Sequence, residues 1–73
     1  MISDKDQKYI DNTFMYHAPK EDQPKRYEIL RSDCKRVALV ILELCPPSRE
    51  RSLALTKLEE CSMWANASIA RNE

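Results

Sequence analysis

Two cations and two aromatic rings are the side chains of this 73-residue sequence best suited to bind a ligand. Arg31 and Lys35 are four residues apart, which on a helix places one a turn above the other, so both can reach a single anion. An extended segment before that helix carries Phe14 and Tyr16, whose rings can stack on a base. Together they would match a nucleotide. Alternatively, the two cations pair with Glu28 and nearby acids on a solvated surface, and from spacing alone this is the commoner outcome.

Side chains suited to catalysis are scarce in the sequence. His17 is the single histidine, and beside Tyr16 and Pro19 its simpler role is packing or hydrogen bonding rather than service as a base. Glu59 and Glu60 are adjacent, and adjacent helical side chains point about 100° apart, so they cannot share one substrate within a single chain. We therefore expect a protein that is not an enzyme.

Charge and cysteine content argue against several other classes. Twelve Lys and Arg balance twelve Asp and Glu, so no overall field draws the chain to duplex DNA or an anionic membrane. Cys34, Cys45 and Cys61 are an odd number without Cys-x-x-Cys spacing, which disfavours a disulfide framework or a zinc site. The polar start is not a secretory signal, and no apolar run approaches the roughly 20 residues of a membrane span. We expect no metal, no cofactor and a cytoplasmic protein.

Proline residues define the first long helix that must position these side chains. Asp22 and Pro24 form a start signal, and the helix is predicted over residues 22–45. Pro46 and Pro47 end it, because proline has no amide hydrogen and clashes with the preceding turn.

A second helix must then run back along the first. Ser48 is placed to cap it, and the helix is predicted over residues 48–72. Residues 1–21 form an N-terminal segment, of which residues 1–12 are interpreted as a mobile start or a single helical turn. With two prolines between the helices, the chain folds back as an antiparallel helical hairpin. The predicted fold class is all-α, in a single domain.

Both helices carry more apolar surface than one hairpin can bury. Spacings of three and four predict a seam on the first helix made of Tyr27, Leu30, Cys34, Val37, Ile41 and Leu44. The predicted seam of the second helix is Ala54, Leu55, Leu58, Cys61, Ala65 and Ile69. Further apolar residues lie off these seams, namely Ile29, Leu39, Val40, Leu42, Leu53 and Trp64. Because so small a chain is near the limit for independent folding, we expect copies to cover this second surface, as a homo-oligomer.

Longer stretches of the sequence resemble a family of small phage and prophage helical-hairpin proteins. The resemblance covers about residues 14–73 and is carried by FMYHAPK (14–20), Asp22-Gln23, Arg26-Tyr27, CPPSRERSLALTKLEE (45–60) and MWANASIARN (63–72). The best-understood relatives in that family are anti-CBASS sponges, which sequester cyclic oligonucleotide alarm signals made by bacterial immune cyclases.

The resemblance implies an assembly and a ligand. It implies a homohexamer built from dimers, with cyclic dinucleotides held intact between protomers and, in some members, cyclic trinucleotides where three protomers meet. A related branch also holds cyclic ADP-ribose-type signals. By position, the stacking tyrosine falls on Tyr16, a phosphate-contacting cation on Arg31 and a second cation on Arg71. The predicted ligand-binding set is Tyr16, Arg31, Phe14, His17, Lys35 and Arg71.

The expected function is non-catalytic capture of these signals in the cytoplasm of an infected or lysogenic bacterial host. Two other hypotheses stay open. The chain is alternatively an interaction module of phage or prophage origin that docks a host protein through the surface around Leu53 and Trp64, or a small hydrolase of the signal. Arg71 has a simpler interpretation as well, since a cation in the last turn can satisfy the final carbonyls of its helix.

Overall fold

The computed structural model describes residues 1–73, which form three α-helices and no strand. Helix α1 spans Asp4–Thr13, α2 spans Gln23–Leu44 and α3 spans Arg49–Asn72. The two long helices pack against each other and form the body of the molecule. The chain is therefore all-helical and consistent with the predicted helical hairpin.

Local sequence explains where the long helices begin and end. Pro24 lies in the first turn of α2, where its missing amide hydrogen would have no partner in any case. Cys45 caps the other end by donating its backbone N–H to the Ile41 carbonyl at 2.9 Å. The Ser48 hydroxyl oxygen accepts a hydrogen bond from the backbone N–H of Arg51 at 3.1 Å and so caps α3. The helix ranges predicted from the sequence differ from these by the capping residues alone.

The interface between α2 and α3 is thin and half-buried. Its apolar side chains are Tyr27, Leu30, Cys34, Ala38 and Ile41 from α2 and Ala54, Leu55, Leu58, Ala65 and Ile69 from α3. Gln23 is the single buried residue of the chain, at 3% exposure, and no hydrophobic residue is buried.

Three seam assignments made from the sequence were wrong. Cys61 is exposed, and Ser62 takes its place, because Ser62 continues the alternation of three and four from Leu58 whereas Cys61 lies on the neighbouring face. Val37 is also exposed, at 43%, and Ala38 takes the half-buried position instead.

The third misassigned residue is Leu44, which is 74% exposed in the last turn of α2. The first turn of α3 offers it no apolar partner. Arg51 occupies the half-buried position there, and its Nη1 donates to the Cys45 carbonyl at 3.3 Å. The turn between the helices is therefore closed by polar contacts.

The chain is much less compact than its length allows. Its radius of gyration is 16.3 Å, whereas a compact chain of this length would have about 11 Å. Its accessible surface is 6252 Å², roughly 1,500 Å² above that of a compact protein of this mass. All the predicted off-seam residues are exposed, namely Ile29, Leu39, Val40, Leu42, Leu53 and Trp64.

Helix α1 corrects the prediction that residues 1–12 are mobile or form a single turn. The Ser3 hydroxyl oxygen accepts from the Asp6 backbone N–H at 3.1 Å, and the first turn is acidic, which suits the positive end of the helix dipole. One turn further on, Gln7 donates a side-chain hydrogen bond to Asp11 at 2.9 Å. These local contacts build a ten-residue helix that has no buried residue.

Candidate functional site

Asn12, near the end of α1, links the segment that follows it to the end of α3 through two hydrogen bonds. His17 Nε2 lies 2.8 Å from the backbone carbonyl oxygen of Asn12, and because a carbonyl accepts, Nε2 is the donor. The Asn12 side-chain amide donates in turn to the Arg71 carbonyl at 3.1 Å. These bonds bring His17 and its neighbour Tyr16 beside the last turn of α3. His17 thus has the hydrogen-bonding role that the sequence favoured over catalysis.

The segment and the two long helices form the walls of an open groove of about 490 Å³. This volume is typical of small-molecule sites. The groove is lined by Thr13, Met15, Tyr16, His17, Tyr27, Arg31, Asn66, Ala67, Ala70 and Arg71. Four of the six ligand-binding residues predicted from the sequence therefore share one cavity, although they come from three different parts of the chain.

The groove is positively charged within a chain that is neutral overall. No aspartate or glutamate lines it, whereas Arg31 and Arg71 both do. The ion pairs of the chain are Arg26 with Asp22 and with Glu73, Arg36 with Asp33, and Lys57 with Glu60. Arg31 takes part in none of them, so the alternative in which it pairs with Glu28 is not found. A guanidinium without a carboxylate partner is available to an anion, and its planar fork suits phosphate.

Arg71 makes a different contact from the one its position suggested. Its side chain donates no hydrogen bond to the last carbonyls of α3, and its Cζ lies 5.8 Å from the centre of the Trp64 ring. That distance is within the range of a cation–π contact, which leaves the guanidinium charge unneutralised. The groove therefore holds two cations that have no anionic partner within the chain.

Two tyrosines border the groove in different states. Tyr16 is 81% exposed, so its ring is free to stack on a flat ligand. Tyr27 is half-buried between α2 and α3 and forms part of the wall. The sequence placed Tyr27 in the helix seam and did not include it in the site.

Phe14 and Lys35 do not reach the groove. Phe14 caps the end of α1 through its backbone, and the residue is 79% exposed. Lys35 lines a separate cavity of about 310 Å³ farther along the hairpin, where Leu58 and Glu59 of α3 face it. One helical turn, about 5.4 Å, separates Lys35 from Arg31, and the groove ends at Arg31. The predicted convergence of Arg31 and Lys35 on one anion within a single chain is therefore not found.

Asn66 is a groove residue that the sequence did not identify. Its side-chain oxygen is shielded from solvent and has no hydrogen-bond partner. The small residues Ala67 and Ala70 are the sequence feature that could have pointed to Asn66, because they leave space beside α3.

The structure contains neither a metal site nor a membrane-spanning helix. No three side chains among His, Cys, Asp and Glu converge as a metal site would require. None of the helices combines the length and the apolar character needed to cross a membrane.

Comparison with protein families places nearly the whole chain in one group. Residues 6–70 match the model of the Acb2/Tad1 hairpin domain, a range that covers all of α2 and most of α1 and α3. No curated protein and no solved structure matches the chain. The family is one of binding proteins that sequester cyclic oligonucleotides. With a cationic groove on a helical hairpin, the chain belongs to the Acb2/Tad1 hairpin family, the anti-CBASS sponges for cyclic oligonucleotides.

Proposed function

We propose that this chain captures cyclic dinucleotides intact, with phosphate held by Arg31 and Arg71 and a base stacked on Tyr16. One observation carries the proposal: the groove joins two arginines without carboxylate partners to a free aromatic ring, and no acidic side chain lines it. Phosphate and base are the two chemical groups that such a surface recognises. His17 holds the segment that carries the ring. Phe14 and Lys35 have no part in this site within one chain.

Affinity considerations support a site made by two chains. A sponge must bind at about nanomolar strength, or about −12 kcal/mol. One groove offers two charge-assisted phosphate bonds and one stacked base, a gross gain of about 4 to 9 kcal/mol before the cost of association. Two grooves facing one ligand would double that gain and match the two phosphates and two bases of a cyclic dinucleotide. We therefore propose that the ligand lies between protomers of a homo-oligomer.

The large accessible surface of the chain supports the same assembly. The excess surface of roughly 1,500 Å² is about that of two standard interfaces at roughly 800 Å² per partner. Each chain can thus contact more than one copy, as a hexamer built from dimers requires. Where three such chains meet, a second kind of pocket would hold cyclic trinucleotides. We place this activity in the cytoplasm of an infected or lysogenic bacterium, where the immune cyclases make their signals.

The direct test is a capture experiment with intact protein. The protein is mixed with cyclic di-AMP, cyclic di-GMP or cyclic GMP–AMP, the free ligand is measured after filtration, and the retained ligand is weighed by mass spectrometry after denaturation. We expect at least one of these to be depleted and released with unchanged mass. A product of altered mass would support the hydrolase hypothesis instead.

Tyrosine substitutions test the site within the same experiment. Tyr16→Ala removes the proposed stacking ring, and Tyr9→Ala is its control, since Tyr9 is an exposed tyrosine of α1 outside the groove. We expect capture to be lost in the first variant alone, with the same assembly size in both. Equal capture by the two variants would remove Tyr16 from the site.

A second candidate function follows from Trp64, which is 64% exposed, with the exposed Met63 beside it and the exposed Leu53 about three turns earlier on α3. Aromatic side chains of this kind anchor protein interfaces. In the alternative hypothesis this surface docks a host protein instead of another copy of the chain. Light scattering distinguishes the two, because an interaction module would be a stable monomer on its own and the proposed sponge would not.

A further inference from the structure

The last residue of the sequence is held at the start of α2 by a polar clasp. Arg26 donates from Nη1 to one carboxylate oxygen of Glu73 at 2.9 Å and from Nη2 to the other. Gln23 Nε2 donates to Glu73 Oε1 at 3.2 Å, and Lys20 Nζ donates to the Glu73 backbone oxygen at 2.6 Å. Asp22 completes the group, 3.3 Å from Arg26 Nε. One carboxylate thus joins the end of α3 to the start of α2.

The clasp also fixes the turn that leads into α2. Gln23 is the single buried residue of the chain. Its side-chain Oε1 accepts a hydrogen bond from the Lys20 backbone N–H at 3.2 Å, while its amide nitrogen donates to Glu73. The Gln23 backbone N–H closes the same turn on the Lys20 carbonyl at 3.0 Å. Within it Glu21 has a positive φ of 54°, an unfavourable region for a residue other than glycine. A turn strained in this way persists because its surroundings hold it.

The clasp is continuous with the proposed ligand site. A cavity of about 380 Å³ lies between them and is lined by Asn12, Met15, Tyr16, His17, Ala18, Lys20, Gln23, Ala70, Arg71 and Glu73. The segment that carries Tyr16 and His17 is therefore held at both its ends. Asn12 binds the Arg71 carbonyl at one end, and Lys20 binds Glu73 and Gln23 at the other.

We propose that Glu73 is a positioning residue for ligand capture. Through Arg26, Gln23 and Lys20, Glu73 holds the segment that carries Tyr16 against the end of α3, where Arg71 lies. This inference rests on the proposed function, because it concerns the same groove. Glu73 does not line the groove itself, so it would act by fixing the distance between the stacking ring and the cation. A preformed site binds more tightly, since less freedom is lost when the ligand arrives.

The charge state of Glu73 agrees with this role. Hydrogen bonds from Arg26 and Gln23, together with the positive charges of Arg26 and Lys20, lower the pKa of the Glu73 carboxyl to about 2. The same contacts, with Asp22 adding its charge, raise the pKa of Arg26 above its usual value. The clasp is therefore fully ionised at neutral pH.

Glu73→Gln tests the inference, with Glu60→Gln as the matched control. Glu60 is also an acid of α3 that pairs with a cation, Lys57 at 3.5 Å, but it lines neither the groove nor the adjoining cavity. Binding of cyclic di-AMP, cyclic di-GMP and cyclic GMP–AMP is measured by calorimetry. We expect the best of these ligands to bind about tenfold more weakly to Glu73→Gln and within about twofold of wild type to Glu60→Gln.

Two further readouts separate positioning from a general loss of structure. His17 is the single histidine, so its ring gives one set of nuclear magnetic resonance signals, and these should shift in Glu73→Gln but not in Glu60→Gln. In a double-mutant cycle, Arg26→Gln combined with Glu73→Gln should weaken binding by no more than about twofold beyond Glu73→Gln alone, because both residues belong to one clasp.

Each outcome decides the inference. Unchanged affinity in Glu73→Gln would overturn it, and so would reduced affinity with unmoved His17 signals, since Glu73 would then act without the segment. If the wild-type protein bound none of the cyclic nucleotides, the proposed function would fail, whereas the His17 signals would still decide whether the clasp holds the segment.

Discussion

Replacing Arg31 with alanine should separate ligand binding from stability more cleanly than any other change in the groove. Arg31 is exposed and takes part in no ion pair, so its loss breaks no charge interaction within the chain. We expect the free energy of unfolding to change by less than about 0.5 kcal/mol, as is usual for such surface positions.

The expected effect on binding is much larger. A charge-assisted bond to phosphate contributes about 1.5 to 3 kcal/mol, and if two chains each supply Arg31 to one ligand, the loss is about 3 to 6 kcal/mol. At about 1.4 kcal/mol for each factor of ten, affinity should fall at least about 100-fold. Arg31→Lys keeps the charge but loses the planar fork, and it should cost about tenfold.

The assay is calorimetric titration with the best-bound cyclic dinucleotide, accompanied by thermal denaturation and light scattering on the same samples. Arg36→Ala is the control, because Arg36 is an exposed arginine of α2 that lines no part of the groove and pairs with Asp33 at 3.5 Å. A loss below about threefold in Arg31→Ala, or an equal loss in Arg36→Ala, would refute the assignment of Arg31 to the phosphate.

Three further predictions concern the fold. The pKa of Glu73 is lowered from 4.5 to about 2, so between these values the unfolded chain binds more protons than the folded chain. The wild type should therefore lose more stability than Glu73→Gln as pH falls from about 5 to 2. An equal fall in melting temperature for the two proteins over this range would contradict the prediction. Glu21→Gly should stabilise the chain by about 0.5 kcal/mol in urea denaturation, because glycine adopts a positive φ without a steric penalty. Glu21→Val is the control and should destabilise the chain, because valine tolerates a positive φ less well than glutamate does. Equal midpoints for the two variants would argue against the strained turn. Ser48→Ala should cost about 1 kcal/mol by removing the cap of α3, whereas Ser52→Ala inside the helix should be nearly neutral; the reverse order would show that the cap is unimportant.

The positions of the long helices could be predicted because local signals decide them. Proline and serine act at the same place whatever else the chain does, and the ends of α2 and α3 follow from them. Helix α1 was harder to predict, since isolated helices of fewer than about 12 residues are marginal in water and an apolar stripe is absent there. Its serine cap and acidic first turn were nonetheless visible in the sequence.

The facing sides of the helices were less predictable than their ends. Cys61 was assigned to the seam as part of an apolar stripe, but the alternation of three and four from Leu58 places Ser62 inward. A two-helix interface is half-exposed along its length, so it tolerates a serine that a deeper core would exclude. Polarity is therefore a weaker guide here than spacing.

The groove itself depends on contacts between distant parts of the sequence. The hydrogen bond from Asn12 to Arg71 spans 59 residues, and no local pattern predicts such a contact. The resemblance placed Tyr16, Arg31 and Arg71 in one site, and the structure brings them to one cavity. Lys35 was added from helical spacing alone, which gives the face of a helix but not where a cavity on that face ends.

Native mass spectrometry of the protein mixed with cyclic di-AMP, cyclic di-GMP or cyclic GMP–AMP tests the proposed capture most directly, because one spectrum gives both the number of chains and the mass of what they hold. We predict an assembly of several 8.6 kDa chains, six in the proposed hexamer, carrying unmodified ligand that dissociates intact on unfolding. A single chain without ligand at micromolar protein concentration would contradict the proposal.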